Sequence, residues 1–130
     1  MKLSEDYTYG SNVIRSYTRD SIEINDQSYP SSLVVGNTHL MENWDVTHVD
    51  HISDQHWLQL ISLEPEIIII GTGDEIIFPH PSSYVECIKK GIGVEFMDSG
   101  AACRTYNILL SEDRSVIAGI IMPETKELPG

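Results

Sequence analysis

Residues 66–75 read EIIIIGTGDE, four isoleucines in succession running into a Gly-Thr-Gly turn. No other stretch constrains the fold as much. Consecutive β-branched side chains favour extended backbone, and with no polar residue among them neither face of the strand can meet water. A strand without alternation belongs in the centre of a largely parallel sheet, covered on both sides. The run is far short of the roughly 20 apolar residues that span a bilayer, so the rest of the chain has to supply both covers.

The neighbouring sequence does so. Ser53 is placed to cap a helix whose Trp57, Leu60 and Ile61 share one face, and Glu64-Pro65 ends it. After the isoleucine strand, "HPSSYVECIKKG" predicts a short helix. Pro81 suits its first position, Lys89 and Lys90 its negative end, and Gly91 its stop. "GIGVEFM" predicts the next strand, "SGAACRTYNILLSED" the best helix of the chain, and "RSVIAGIIM" a closing strand before Pro123. Upstream, "THLMENWDV" predicts a strand with imperfect alternation. The first third is different in style. Residues 13–18 and 21–24 predict a hairpin around Arg19-Asp20, and residues 32–35 a third strand. A β-rich start followed by strand–helix alternation predicts an α/β fold with a central, largely parallel sheet and helices packed on it. No repeat, low-complexity segment or linker divides the chain. The expectation is a single domain over 1–130, β-rich over about 10–37, with β-α repeats over about 38–122 and a loose C-terminal tail.

Charge narrows the partners. With 8 basic against 20 acidic residues the chain carries a net charge of -12. It repels nucleic-acid backbones and anionic lipid surfaces alike, so neither nucleic-acid binding nor membrane insertion is expected. The N-terminal "MKLSEDYTYG" places charge where a signal peptide needs an apolar core, and two cysteines, Cys87 and Cys103, fit a reducing compartment. A cytoplasmic location is the expectation.

The turn Gly71-Thr72-Gly73 invites a nucleotide reading, which its surroundings refuse. A dinucleotide fingerprint needs a third glycine and a helix starting at once. Here Asp74 and Glu75 follow, and the next helix begins several residues later. No cofactor is expected, and the glycines let the chain leave a buried strand and approach a neighbour closely. On the helix that begins near "DSG", Ala101, Ala102, Thr105, Ile108 and Leu109 share the face expected to pack on the sheet. Gly100, Cys103, Arg104 and Asn107 share the other, and Asp98 or Ser99 caps the start. In a parallel sheet Gly71, Thr72 and Gly73 come beside Asp98, Ser99 and Gly100, at the edge where open α/β sheets bind ligands. Arg104 is then placed to clamp Asp74, Glu75 or Asp98, or to hold a small anion.

Other chemistry has less support. A positive helix end and Arg104 would lower the Cys103 thiol, but no histidine is positioned as its base, and a buried small residue is the expected role. His48, Asp50, His51, Asp54 and His56 match no complete zinc spacing, so no metal is expected. "MDSGAA" lacks the strained nucleophile elbow, which leaves Ser99 a poor hydrolase nucleophile.

Gly71-Thr72-Gly73 with the proline that follows, Gly91-Ile92 entering a strand, Met97-Asp98 and "AACRTYNILLSEDR" together resemble the Mth-type domain of unknown function. That family includes the adipogenesis-associated Mth-like protein and the mitochondrial complex I assembly factor 3. The resemblance covers most of residues 30–121. It implies a three-layer α/β domain with a central mixed sheet and extra β structure from the N-terminal third, and it implies no established reaction. The reading is a non-enzymatic interaction or assembly module with an unknown protein partner; self-association stays open. The alternative is a small-molecule or anion-binding domain, an enzyme of unknown reaction included, with its crevice between the glycine turn and the Asp98–Arg104 helix start.

Overall fold

A computed structural model describes residues 11–123; the expected tail lies mostly outside them. The first third forms an antiparallel sheet of β1 (Ile14–Tyr17), β2 (Ile22–Ile24) and β3 (Gln27–Tyr29). The hairpin around Arg19-Asp20 is present. The strand β3 was not expected, although its signal is in the sequence. Asn25 takes a φ of 55° in a two-residue turn before Asp26, and Asn is the residue that tolerates this conformation in a tight hairpin.

The chain then builds β4 (Leu33–Gly36), β5 (Leu40–Met41), α1 (Asp54–Ile61), β6 (Ile67–Gly71), α2 (Val85–Lys89), β7 (Gly93–Met97), α3 (Ser99–Ser111) and β8 (Val116–Ile120). The second sheet has the order β5-β4-β8-β6-β7. The strand β6 lies parallel to both β7 and β8, while β4 is antiparallel to β8 and β5 to β4. The sheet is therefore mixed. "THLMENWDV" falls short of the expected strand, pairing only at Leu40 and Met41. Asn43 turns into the left-handed region with φ 58° and ends it, and Trp44 and Val46 reach the core from irregular backbone instead.

Both faces of the isoleucine strand are covered. Ile68, Ile69 and Ile70 are fully buried, and Ile67 is half-buried. Ile69 enters a core with Ile14, Ile22, Ile24, Ala102 and Tyr106. Ile68 and Ile70 enter the opposite one with Trp57, Leu60, Cys87 and Phe96. Each buried isoleucine contributes about 1.5–3 kcal/mol. The small sheet and α3 share one face of the large sheet, and α1 and α2 cover the other, which makes three layers. Ser53 caps α1 as expected, in a reciprocal capping box with His56. Pro81 begins a 3-10 turn, Pro81–Tyr84, that runs into α2.

Candidate functional site

At the carboxyl ends of β6 and β7 the glycine turn and the start of α3 meet. A Cβ on Gly71 would stand 2.8 Å from the Ser99 Cα and 3.0 Å from the Ala102 Cβ, so only glycine lets α3 lie this close to the strand. Ser99 is fully buried. Its Oγ accepts the Gly73 N–H at 2.8 Å and donates to the Ile121 carbonyl at 2.6 Å, while its own N–H donates to the Gly73 carbonyl at 2.8 Å. Asp98 supplies the cap, its Oδ1 accepting the Ala101 N–H at 2.9 Å. The Thr72 N–H donates to the Met97 carbonyl at 2.8 Å. The Thr72 hydroxyl donates to the Glu75 carbonyl and accepts the Ile77 N–H. The amides of Thr72 and Gly73, which would have to cradle a phosphate, are thus spent on α3 and β7.

The two faces of α3 require correction. Ile108, expected against the sheet, is 56% exposed, whereas Cys103, placed on the helix face opposite it, is buried, in keeping with its expected role as a buried small residue. The buried positions are Ser99, Ala102, Cys103 and Tyr106. The reason is the small sheet: β1 packs along the flank of α3 that the helical pattern alone would leave to solvent. Asn107 fastens it, donating to the Ile14 carbonyl at 2.7 Å and accepting the Ile14 N–H at 3.0 Å. Tyr106, which the sequence reading passed over, is fully buried and donates to the Asn12 carbonyl at 2.7 Å.

Charge at the junction also departs from expectation. Burial pushes the Cys103 thiol up to about 12, outweighing the pull of Arg104 in the other direction, so the expected lowering is reversed. Arg104 is exposed and, among the described residues, forms no ion pair; the clamp is not made. Asp74 is held instead by Arg19 from the β1–β2 hairpin, at 2.8 Å, with both partners exposed. Nothing in the local sequence of Arg19 points to that pairing. Arg104 and Arg15 line a shallow groove of about 200 Å³ between β1 and α3, together with Tyr17, Gly100 and Cys103. Burial, then the nearby Asp74, raises the Tyr17 phenol above its ordinary value.

A larger open cleft of about 1060 Å³ lies at the same edge, lined by Arg19, His48, Asp50, His51, Asp74 and Glu75 among others. His48 and His56 serve local structure. The His48 Nδ1 accepts the Asp50 N–H at 3.1 Å, and the His56 Nε2 lies 2.7 Å from the Asp45 carboxylate while its Nδ1 closes the α1 cap. That bond holds the Asp45 carboxyl below its ordinary range. Among the described residues no three His, Cys, Asp or Glu side chains converge on a metal position.

Residues 14–121 match the family described as protein of unknown function (DUF498/DUF598). A relative from Francisella tularensis, named "13 kDa major membrane protein", is 31% identical over 122 residues, covering 93% of this chain and 99% of the relative. The zebrafish (Danio rerio) "NADH dehydrogenase [ubiquinone] 1 alpha subcomplex assembly factor 3" is 33% identical over 113 residues, 85% of this chain and 64% of the assembly factor. The chain therefore spans less than two thirds of that relative. An NMR structure from Xanthomonas campestris superposes with a TM-score of 0.82 at 29% identity, over 99% of this chain and 98% of the other. A Bordetella pertussis structure described as a Mth938-like domain shares the fold, with a TM-score of 0.75 at 24% identity over 85% of each chain.

Proposed function

The chain belongs to the DUF498/DUF598 family, and from that membership we propose that it is a non-enzymatic protein-binding module of the assembly-factor kind. One observation carries the reading. Between β6 and β7 the chain leaves Ile76, Phe78, Val85 and Ile88 exposed by 51, 74, 40 and 54%. Large apolar side chains left exposed along one segment of an acidic chain suit a partner rather than water. The names of the assembly-factor relatives support the same reading. Affinity capture from the native host, quantified against a Phe78→Ser/Ile88→Ser double variant, tests it. The expected result is a protein retained by the parent and lost by the variant, whose melting temperature should match the parent's because both side chains are exposed. Equal capture by both, or none above background, would overturn the reading.

Arg15 and Arg104 favour a second reading, in which their shared groove takes a small anion. Titration with inorganic phosphate, followed at the Gly100 and Arg104 amides by NMR, should then give saturable shifts that Arg104→Ala abolishes. Nucleotides are not part of either reading, because the glycine-turn amides are already bonded; calorimetric titration with NAD or ATP should show no heat of binding.

The same proposal keeps the chain in the cytoplasm and away from nucleic acid. Both cysteines are free thiols, the charge is acidic, and among the described residues no helix is long and apolar enough to cross a membrane. Cell fractionation tests the location, and recovery with the membranes, as the name of the Francisella relative suggests, would refute it.

A further inference from the structure

We propose that the outer edge of β7 receives an extended, basic segment of a partner protein, which joins the large sheet as a further strand. Among the described residues β7 is the terminal strand of that sheet. The Gly93 N–H donates to the Glu66 carbonyl at 3.0 Å, and a parallel ladder then dictates the rest. Gly93, Glu95 and Met97 turn their backbone groups toward β6, while Val94 and Phe96 turn theirs outward. Among the described residues no hydrogen bond reaches those outward groups. The side chains of Val94 and Phe96 pack into the core with Trp57 and Cys87, so the edge is held in place. An open edge of fixed geometry is a template for strand addition. The segment that precedes β7 carries exposed apolar residues: Phe78 on the loop, and Val85 and Ile88 on α2, which packs on β7.

Charge selects the occupant. Two copies pairing antiparallel would use the outward groups of both Val94 and Phe96 only in the register that sets Glu95 against Glu95. Glu95 is exposed at the middle of β7, and like charges directly opposite across a strand pair are destabilising. Each copy also carries a net charge of -12. A heterologous strand with Lys or Arg opposite Glu95 turns the same position into an attraction.

The inference rests on the protein-binding reading and adds the place and the chemistry. The probes are capped octapeptides of alternating valine and lysine, of alternating valine and glutamate, and the lysine peptide N-methylated at alternate residues. Amide exchange measured by NMR is the readout. The lysine peptide should slow exchange at Val94 and Phe96 by about tenfold or more, the glutamate and N-methylated peptides should not, and Glu95→Lys should reverse the charge preference. Binding undiminished by N-methylation, protection at the His48–Asp74 cleft instead, or no binding of any peptide would overturn the proposal. So would slow exchange at these two amides in the free chain: if independent of concentration it marks an edge occupied by the chain's own terminal residues, and if concentration-dependent a second copy. Capture of the same cellular partner by parent and Glu95→Lys would sink the edge alone. Strand addition by the peptide with no partner captured would sink the functional reading alone.

Discussion

Replacing Ser99 by Ala removes one oxygen and strands two partners, the Gly73 N–H and the Ile121 carbonyl, in a place water does not reach. The expected loss is about 1–3 kcal/mol, the cost of leaving buried groups unpaired, measurable as a lower urea midpoint with an unchanged slope. Arg104 should behave oppositely. It is exposed and holds no carboxylate among the described residues, so Arg104→Ala should change stability by less than about 0.5 kcal/mol in the same assay. Cys103 predicts a pH dependence. Its thiol ordinarily ionises near 9.0 and in the folded chain near 12. Between those values the folded state keeps a proton that the unfolded state has lost. The stabilisation is therefore complete below about pH 9 and declines as pH rises toward 12. Cys87, Tyr17 and Tyr106, also raised by burial, act in the same direction. Denaturant unfolding across this range should show the decline, and Cys103→Ala should make it shallower. An unchanged slope in the variant would mean the thiol is not buried as described.

At the scale of elements, β6 carries the greatest weight, with neighbours on both edges and a core on each face. Ile69→Asp would place an unpaired carboxylate in the core beneath α3. Domain stabilities of about 5–15 kcal/mol leave little margin for such a change, and the expected outcome is an unfolded chain by circular dichroism. A soluble variant with an unaltered melting temperature would contradict this placement. The helix α3 shows why its faces were harder to read. A periodic pattern assumes one wet side, yet α3 packs on the sheet with Ala102 and against β1 through Cys103, Tyr106 and Asn107. Its polar stripe is partly interior because Asn107 and Tyr106 bond to backbone of the N-terminal third, more than ninety residues away. No local window contains that information.

For the molecule as a whole, the two cores share the large sheet, and the small sheet is tied into one of them by Ile14, Ile22 and Ile24. The expected consequence is a single cooperative unfolding transition, with tryptophan fluorescence and far-ultraviolet dichroism superimposing. Trp44 and Trp57 report one core, so an earlier dichroism change would reveal the small sheet melting on its own. The alternation of strands and helices, the central isoleucine strand, the cap at Ser53, a cap at Asp98 or Ser99 and the proximity of Gly71–Gly73 to Ser99 were all legible in the sequence. Each follows from local propensity, periodicity or the rule that parallel strands end at a common edge. The tertiary structure alone decided which charges met. Arg19 took Asp74, leaving Arg104 open, because the β1–β2 hairpin reaches across the cleft and an exposed ion pair has no sequence signature. It also decided that burial outweighs Arg104 at the Cys103 thiol and that, among the described residues, the outer edge of β7 stays unpaired. Burial and edge position depend on which distant segments stack, whereas strand and helix tendencies are written within a few residues of one another.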